Sequence, residues 1–182
     1  MTTDADPAGE PLLLVTGASG YVGGRLLARL EEDGRRVRCM SRRPEEMAAR
    51  TAAGTEVVQG DVRDPDSLAE ALRGVDIAYY LVHSMAGDQD YRRADREGAA
   101  TFAAAARDAG VRRIVYLGGL GRGPGLSGPL ASRQEVGRTL AASGVPTVEL
   151  RAGIVIGSGS TPFEVIRAPV DRLPVVVAPR GG

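Results

Sequence analysis

The 182-residue chain contains no lysine; all 23 basic side chains are arginine, and 23 acidic side chains cancel them. Arginine keeps its proton at neutral pH and forms no Schiff base, which closes every mechanism that needs a catalytic lysine. Zero net charge and a pI near 6.6 lack the concentrated basic face of a nucleic-acid binder. Cys39 is the only cysteine, which excludes a disulfide framework and fits a reducing compartment. His83 is the only histidine, and neither it nor Cys39 has a partner at metal-ligand spacing, so no metal site is expected. No apolar run approaches the ~18 residues of a membrane span. Residues 1–11 are acidic, carry no apolar signal-peptide stretch, and read as a flexible tail. These absences point to a soluble cytoplasmic protein without a nucleic-acid or membrane partner.

Short apolar runs alternate with helical stretches over the rest. Strands are expected over 12–16, 36–41, 55–59, 75–82, 112–117 and 147–151. Helices are expected over 22–32, closed by Gly34, and over 44–53, opened by Pro44. Asp64 and Pro65 should cap and open a third, running to about Arg73. Further helices follow over 90–109, 129–143 and 161–172, before a last strand over 175–178. The continuous apolar character of 75–82 predicts burial on both faces. Six glycines and a proline make 118–128 a loop. Strand-helix alternation with buried strands predicts a doubly wound parallel α/β sheet. A final strand that starts and stops within a few residues of the end favours a piece of a longer protein, with 12–182 as one nucleotide-binding domain.

The most informative stretch is Thr16-Gly17-Ala18-Ser19-Gly20-Tyr21-Val22-Gly23-Gly24. It sets Gly17, Gly20 and Gly23 at G-x-x-G-x-x-G spacing between the first strand and the first helix. Gly17 permits the turn, Gly20 lets backbone approach a pyrophosphate, and Gly23 lets the helix pack closely. The helix's free N–H groups and positive dipole end then face the anion. A glycine triplet alone is also an ordinary structural turn; its place at the head of a βαβ series supports dinucleotide binding in a Rossmann fold.

An NAD site would carry a carboxylate about 20 residues on. Ser41-Arg42-Arg43 stands there instead, suited to a 2′-phosphate through charge-assisted bonds, or else simply a solvated arginine pair. NADP(H) is the expected cofactor, with NAD(H) the alternative. Asp61 and Val62, after the third strand, sit where an adenine would lie: Asp61 either accepts from the exocyclic amine or caps the following turn. Leu81 and His83 lie at the tip of the fourth strand, the topological switch point where such folds bind ligands. A lone histidine there is more often a hydrogen-bonded loop residue than a catalyst.

This glycine loop, with Gly60-Asp61-Val62 and Tyr79-Tyr80-Leu81-Val82-His83-Ser84-Met85, resembles the short-chain dehydrogenase/reductase superfamily. The stretches Ala109-Gly110-Val111-Arg112-Arg113-Ile114-Val115-Tyr116-Leu117 and Ser143-Gly144-Val145-Pro146-Thr147-Val148-Glu149-Leu150-Arg151 resemble its atypical, nitrogen-metabolite-repressor-like branch. The resemblance implies a Rossmann domain and an oxidoreductase whose proton moves through a Tyr-x-x-x-Lys pair and a serine. Here Pro129 takes the tyrosine's place, Arg133 stands near the lysine's, and Gly118-Gly119 replaces the serine. Arg133 still offers donors to a ribose, and Tyr79, Tyr80, His83 and Tyr91 remain as titratable groups near the cleft. Two functions follow: an NADP(H)-dependent oxidoreductase or isomerase without the usual pair, or a non-catalytic NAD(P)-sensing regulator or scaffold.

Overall fold

Each apolar run becomes a strand because the turn residues bounding it cannot continue one, and the helices between them bury the sheet. In the computed structural model, which describes residues 9–83, 91–121, 123, 125–153, 155–157, 160 and 167, the elements alternate in that way. They are β1 (Leu13–Thr16), α1 (Tyr21–Glu32), β2 (Val37–Ser41), α2 (Pro44–Ala48), β3 (Glu56–Gln59) and α3 (Pro65–Ala71), followed by β4 (Ile77–Tyr80), α4 (Tyr91–Asp108), β5 (Arg113–Gly119), α5 (Gly128–Ala141) and β6 (Thr147–Ala152). The sheet order is β3-β2-β1-β4-β5-β6, and β3–β2, β2–β1, β1–β4 and β4–β5 pair parallel. The winding therefore reverses between β1 and β4, as a doubly wound fold requires.

Alternate strand residues feed two cores on opposite faces. The larger joins Leu14, Tyr80, Ile114 and Tyr116 to Leu68, Phe102, Val136 and Leu140 of α3, α4 and α5. The smaller joins Val15, Val37 and Cys39 to Leu27 and Met47 of α1 and α2. Thr16, fully buried, ties the faces at the switch: its hydroxyl donates to the Tyr79 carbonyl (2.9 Å) and accepts from the Leu81 N–H (3.2 Å).

Four expectations need correction. Strand β4 is not buried on both faces: Ala78 and Tyr80 are buried, but Ile77 and Tyr79 are half-exposed, Tyr79 against the smaller core. Helix α2 stops at Ala48, not residue 53. Thr51 donates to the Ala48 carbonyl, while a Glu31 carboxylate oxygen takes the Ala52 N–H (2.9 Å) and the Thr55 hydroxyl (2.6 Å), drawing the chain out of the helix. Strand β5 runs on through Gly118 and Gly119, expected as loop. A side chain at Gly118 would collide with the Glu149 carboxylate and one at Gly119 with Leu130, so glycine is what lets the strand continue. Of the stretch read as a tail, Glu10 is tied to Arg35 (2.9 Å) and accepts from Arg36 (3.0 Å).

By its contacts the chain divides into two units, 1–151 and 152–182. In the second, Ser160 is buried and donates through its N–H to Gly157 (2.9 Å) and through its hydroxyl to Val155 (2.6 Å). Apart from Arg167, the helix expected over 161–172 and the strand over 175–178 lie outside the described residues. Among the described residues no helix is long and apolar enough to cross a membrane, and no cluster of three His, Cys, Asp or Glu side chains could hold a metal ion.

Candidate functional site

The turn from β1 into α1 is shaped by backbone-on-backbone contact. Gly17 has φ +73°, and a Cβ there would stand 2.6 Å from the Leu81 carbonyl oxygen. A Cβ on Gly23 would collide with the Gly17 carbonyl, so this glycine brings the helix against the loop itself, not against the sheet as its spacing suggested. Gly20 has the milder constraint, 3.3 Å to the same oxygen. Gly20 is also the N-cap of α1, without a side-chain capping bond, and no acidic residue stands in the first turn. The helix opening therefore carries its positive end without an internal counter-charge. Around it, Ala18 is buried, Ser19 is exposed, and Tyr21 and Val22 are half-buried. The Arg25 guanidinium lies 4.6 Å from the centre of the Tyr21 ring.

Beside this loop a cleft of about 370 Å³ opens across the ends of β2 and β3. Of the residues singled out from sequence, Gly17, Ser19, Ser41, Arg42, Arg43, Asp61 and Val62 line it. Leu81, His83 and Arg133 do not; Val82 lines it instead. Gly60, quoted with Asp61 and Val62, lines it too, while sequence reasoning missed Met40, Glu46, Met47, Arg50 and Arg63. One signal was available: Arg43, Met47 and Arg50 stand at i, i+4 and i+7, the spacing of a single helix face.

The polar groups of the cleft differ in how far they are already engaged. The Ser41 hydroxyl accepts from the Arg43 N–H (3.1 Å) in a local turn. The Arg43 guanidinium donates to both carboxylate oxygens of Glu46 (3.3 Å each). One Asp61 carboxylate oxygen accepts from the Arg63 N–H (2.9 Å), and the Arg63 guanidinium reaches both oxygens (3.4 and 3.5 Å), so Asp61 does cap its turn. Partial burial pulls the Asp61 carboxyl upward, but the Arg63 bonds and the nearby charges of Arg63 and Arg42 outweigh it and leave it below the usual carboxylate range. Arg42 and Arg50 have no ion pair among the described residues.

Outside the cleft, Arg133 is half-buried, and its carbonyl accepts from the Tyr116 hydroxyl (2.8 Å). Next to it, the buried Ser132 hydroxyl donates to Asp95 of α4 (3.0 Å), locking α5 to α4. His83 is exposed at the tip of β4. Partial loss of hydration, then the Arg133 charge, holds it below the ordinary imidazole value, with Asp95 opposing. Tyr80 is 1% exposed and burial raises its phenol, while Tyr79 packs on the smaller core. Tyr91 is placed differently. Its hydroxyl stands 2.6 Å from where a Cβ on Gly128 would be, so a tyrosine from α4 reaches the first residue of α5. Ser84 and Met85 lie outside the described residues.

Known proteins share parts of this chain's sequence and its fold. The NAD(P)H-binding family matches residues 17–158. A (4-alkanoyl-5-oxo-2,5-dihydrofuran-3-yl)methyl phosphate reductase of Streptomyces griseus is 42% identical over 106 residues, 58% of this chain and 34% of that protein. The NADP(H) complex of a Citrobacter triphenylmethane reductase superposes with TM-score 0.72 at 23% identity, over 88% of this chain and 55% of the other. A short-chain dehydrogenase/reductase superfamily protein of Agrobacterium tumefaciens with bound NAD gives 0.64 at 27% identity, over 77% and 48%. The chain spans about a third to a half of the length of these relatives.

Proposed function

The chain belongs to the NAD(P)H-binding family, and from that premise we propose that it is the NADP(H)-binding part of a cytoplasmic oxidoreductase that moves its proton without a Tyr-x-x-x-Lys pair. The observation that carries this is the cleft itself: a loop that excludes side chains at one end and, at the other, Arg42 and Arg50 without a carboxylate partner among the described residues. Gly17, Ala18, Ser19, Gly20, Tyr21, Val22 and Gly23 would hold the pyrophosphate. Ser41 and Arg42 would stand at the 2′-phosphate, with Asp61 and Val62 at the adenine. Leu81, His83 and Arg133 would border the nicotinamide and its ribose. When bound, the cofactor supplies a hydride donor or acceptor.

Arg133, its backbone pinned by Tyr116, would donate to ribose hydroxyls but cannot lower a phenol's pKa from Pro129. Of the four titratable candidates, burial withdraws Tyr80 and core packing withdraws Tyr79. Tyr91 at the head of α5 is the phenol that remains, and His83 the imidazole. Names among the relatives are those of reductases and dehydrogenases, which supports a redox role.

The test is NADPH oxidation with a panel of quinones, aldehydes and ketones, using the full-length protein and its Tyr91→Phe and His83→Gln variants. General acid catalysis is worth about 10²–10⁴-fold, so one of these should lose that much in kcat while keeping its NADPH affinity. The replaced pair favours one second reading, a cofactor-responsive regulator or scaffold. Tight NADPH binding with no turnover on any substrate would replace the first reading by the second.

A further inference from the structure

Four guanidiniums line the cleft, those of Arg42, Arg43, Arg50 and Arg63, against two carboxylates, Glu46 and Asp61. This is an excess of two positive charges in a chain whose net charge is zero. The excess is not shared evenly. Arg43 is paired with Glu46 and Arg63 with Asp61. Arg42 and Arg50 are exposed and without an ion pair among the described residues.

Arg42 leaves the end of β2 near enough to Asp61 for its charge to be felt there, so it stands on the cleft side of its turn. Arg50 is held by a different device. Its N–H donates to the Met47 carbonyl (2.9 Å), and Met47, 4% exposed, is anchored in the smaller core. The early end of α2 matters here, because the turn at 49–51 carries Arg50 at the cleft wall rather than further along a helix. Two unneutralised guanidiniums on one cleft repel each other and attract a dianion whose planar oxygens suit their forked donors.

We infer that Arg50, together with Arg42, forms the anion clamp of this cleft, in place of the sequence neighbours Arg42 and Arg43, and that its ligand is an adenosine carrying a phosphomonoester on its 2′-oxygen. This rests on the proposed cofactor reading and assigns its specificity to a residue seven positions beyond the arginine pair. Arg43 becomes the partner of Glu46 and a part of the wall.

The experiment is calorimetric titration of the full chain with adenosine 2′,5′-bisphosphate and with 5′-AMP, repeated for Arg50→Ala, Arg50→Lys, Arg42→Ala and Arg43→Ala. Arg50→Ala and Arg42→Ala should each weaken the bisphosphate about ten-fold or more and leave 5′-AMP within about three-fold, the scale of one charge-assisted contact. Arg50→Lys should restore part of the loss, since an ammonium keeps the charge without the fork. Arg43→Ala should change the ratio of the two affinities by less than about three-fold. An unchanged ratio in Arg50→Ala, or a loss in Arg43→Ala as large as in Arg42→Ala, overturns the clamp while leaving cofactor binding standing. If the unmutated chain binds neither these probes nor NADP or NAD, the cofactor reading falls together with the clamp.

Discussion

The β1–β3 half and the β4–β5 half of the molecule are built by opposite means. In the first, proposed for the adenosine, the strands present loop tips and the exposed Arg42, Arg43 and Arg50 to the cleft. In the second, proposed for the nicotinamide, Tyr80 and Tyr116 are buried in the larger core, with the Tyr80 and Phe102 rings 4.9 Å apart and the buried Ser132–Asp95 bond joining α5 to α4. The first half invests in charge left without a partner, the second in rigidity. Yet the first half carries the complete glycine loop, while in the second Pro129 and Arg133 stand where the family resemblance would put the tyrosine and the lysine. Firm packing therefore tells nothing about which end still holds its family's chemistry; the unsatisfied groups do.

Cutting the larger core should show the separation most strongly. Phe102 is fully buried against Tyr80, and Phe102→Ala should cost about 3–5 kcal/mol of unfolding free energy in urea. The ratio of NADP to NAD affinity should stay as it was, because no clamp residue touches that ring. A changed ratio in the folded variant would mean the two ends are coupled.

Gly23→Ala tests the reverse. Its methyl would press on the Gly17 carbonyl, so the loop must shift, at about 1–3 kcal/mol. Both nucleotides should lose affinity equally, since the pyrophosphate cradle serves both. Thr16→Val acts on the joint between the ends. It takes the hydroxyl partner from the half-buried Tyr79 carbonyl and Leu81 N–H at a cost of about 1–3 kcal/mol, and should weaken nucleotide binding less than Gly23→Ala does.

What could be read beforehand follows the same divide. The glycine triplet, the Asp64-Pro65 helix start and the alternation of apolar runs are local signals, and each places its element within a few residues. Three of the departures depend on a partner far along the chain, and one on a side chain only three residues away. Helix α2 ends early because Glu31 of α1 claims the backbone beyond it. Gly118 and Gly119 stay in a strand because Glu149 and Leu130 fill the space their side chains would take. Arg43 looks like a phosphate reader until Glu46 is seen across it, and Tyr91 reaches Gly128 only once α4 packs on α5. A free guanidinium and a paired one are spelled identically.

The smallest predicted effect separates the two cores by pH. Cys39 is 0% exposed in the smaller core, and burial, aided by the Glu31 carboxylate, pushes its thiol up to about 11. An unfolded chain releases the same proton near 8.5. From about pH 8.5 upward the unfolded state therefore binds fewer protons than the folded one, and stability falls as pH rises. Burial likewise raises the phenols of Tyr80 and Tyr116 in the larger core, but unfolded tyrosine ionises only near 10. With no lysine in the chain, no side-chain ammonium titration overlies this window. Urea unfolding between about pH 8.5 and 10 should then show a shallow decline that Cys39→Ala abolishes, followed by a steeper one above 10 that the variant keeps. A decline below 10 that survives Cys39→Ala would place the titrating group outside the smaller core, and the adenosine end would lose its internal reporter.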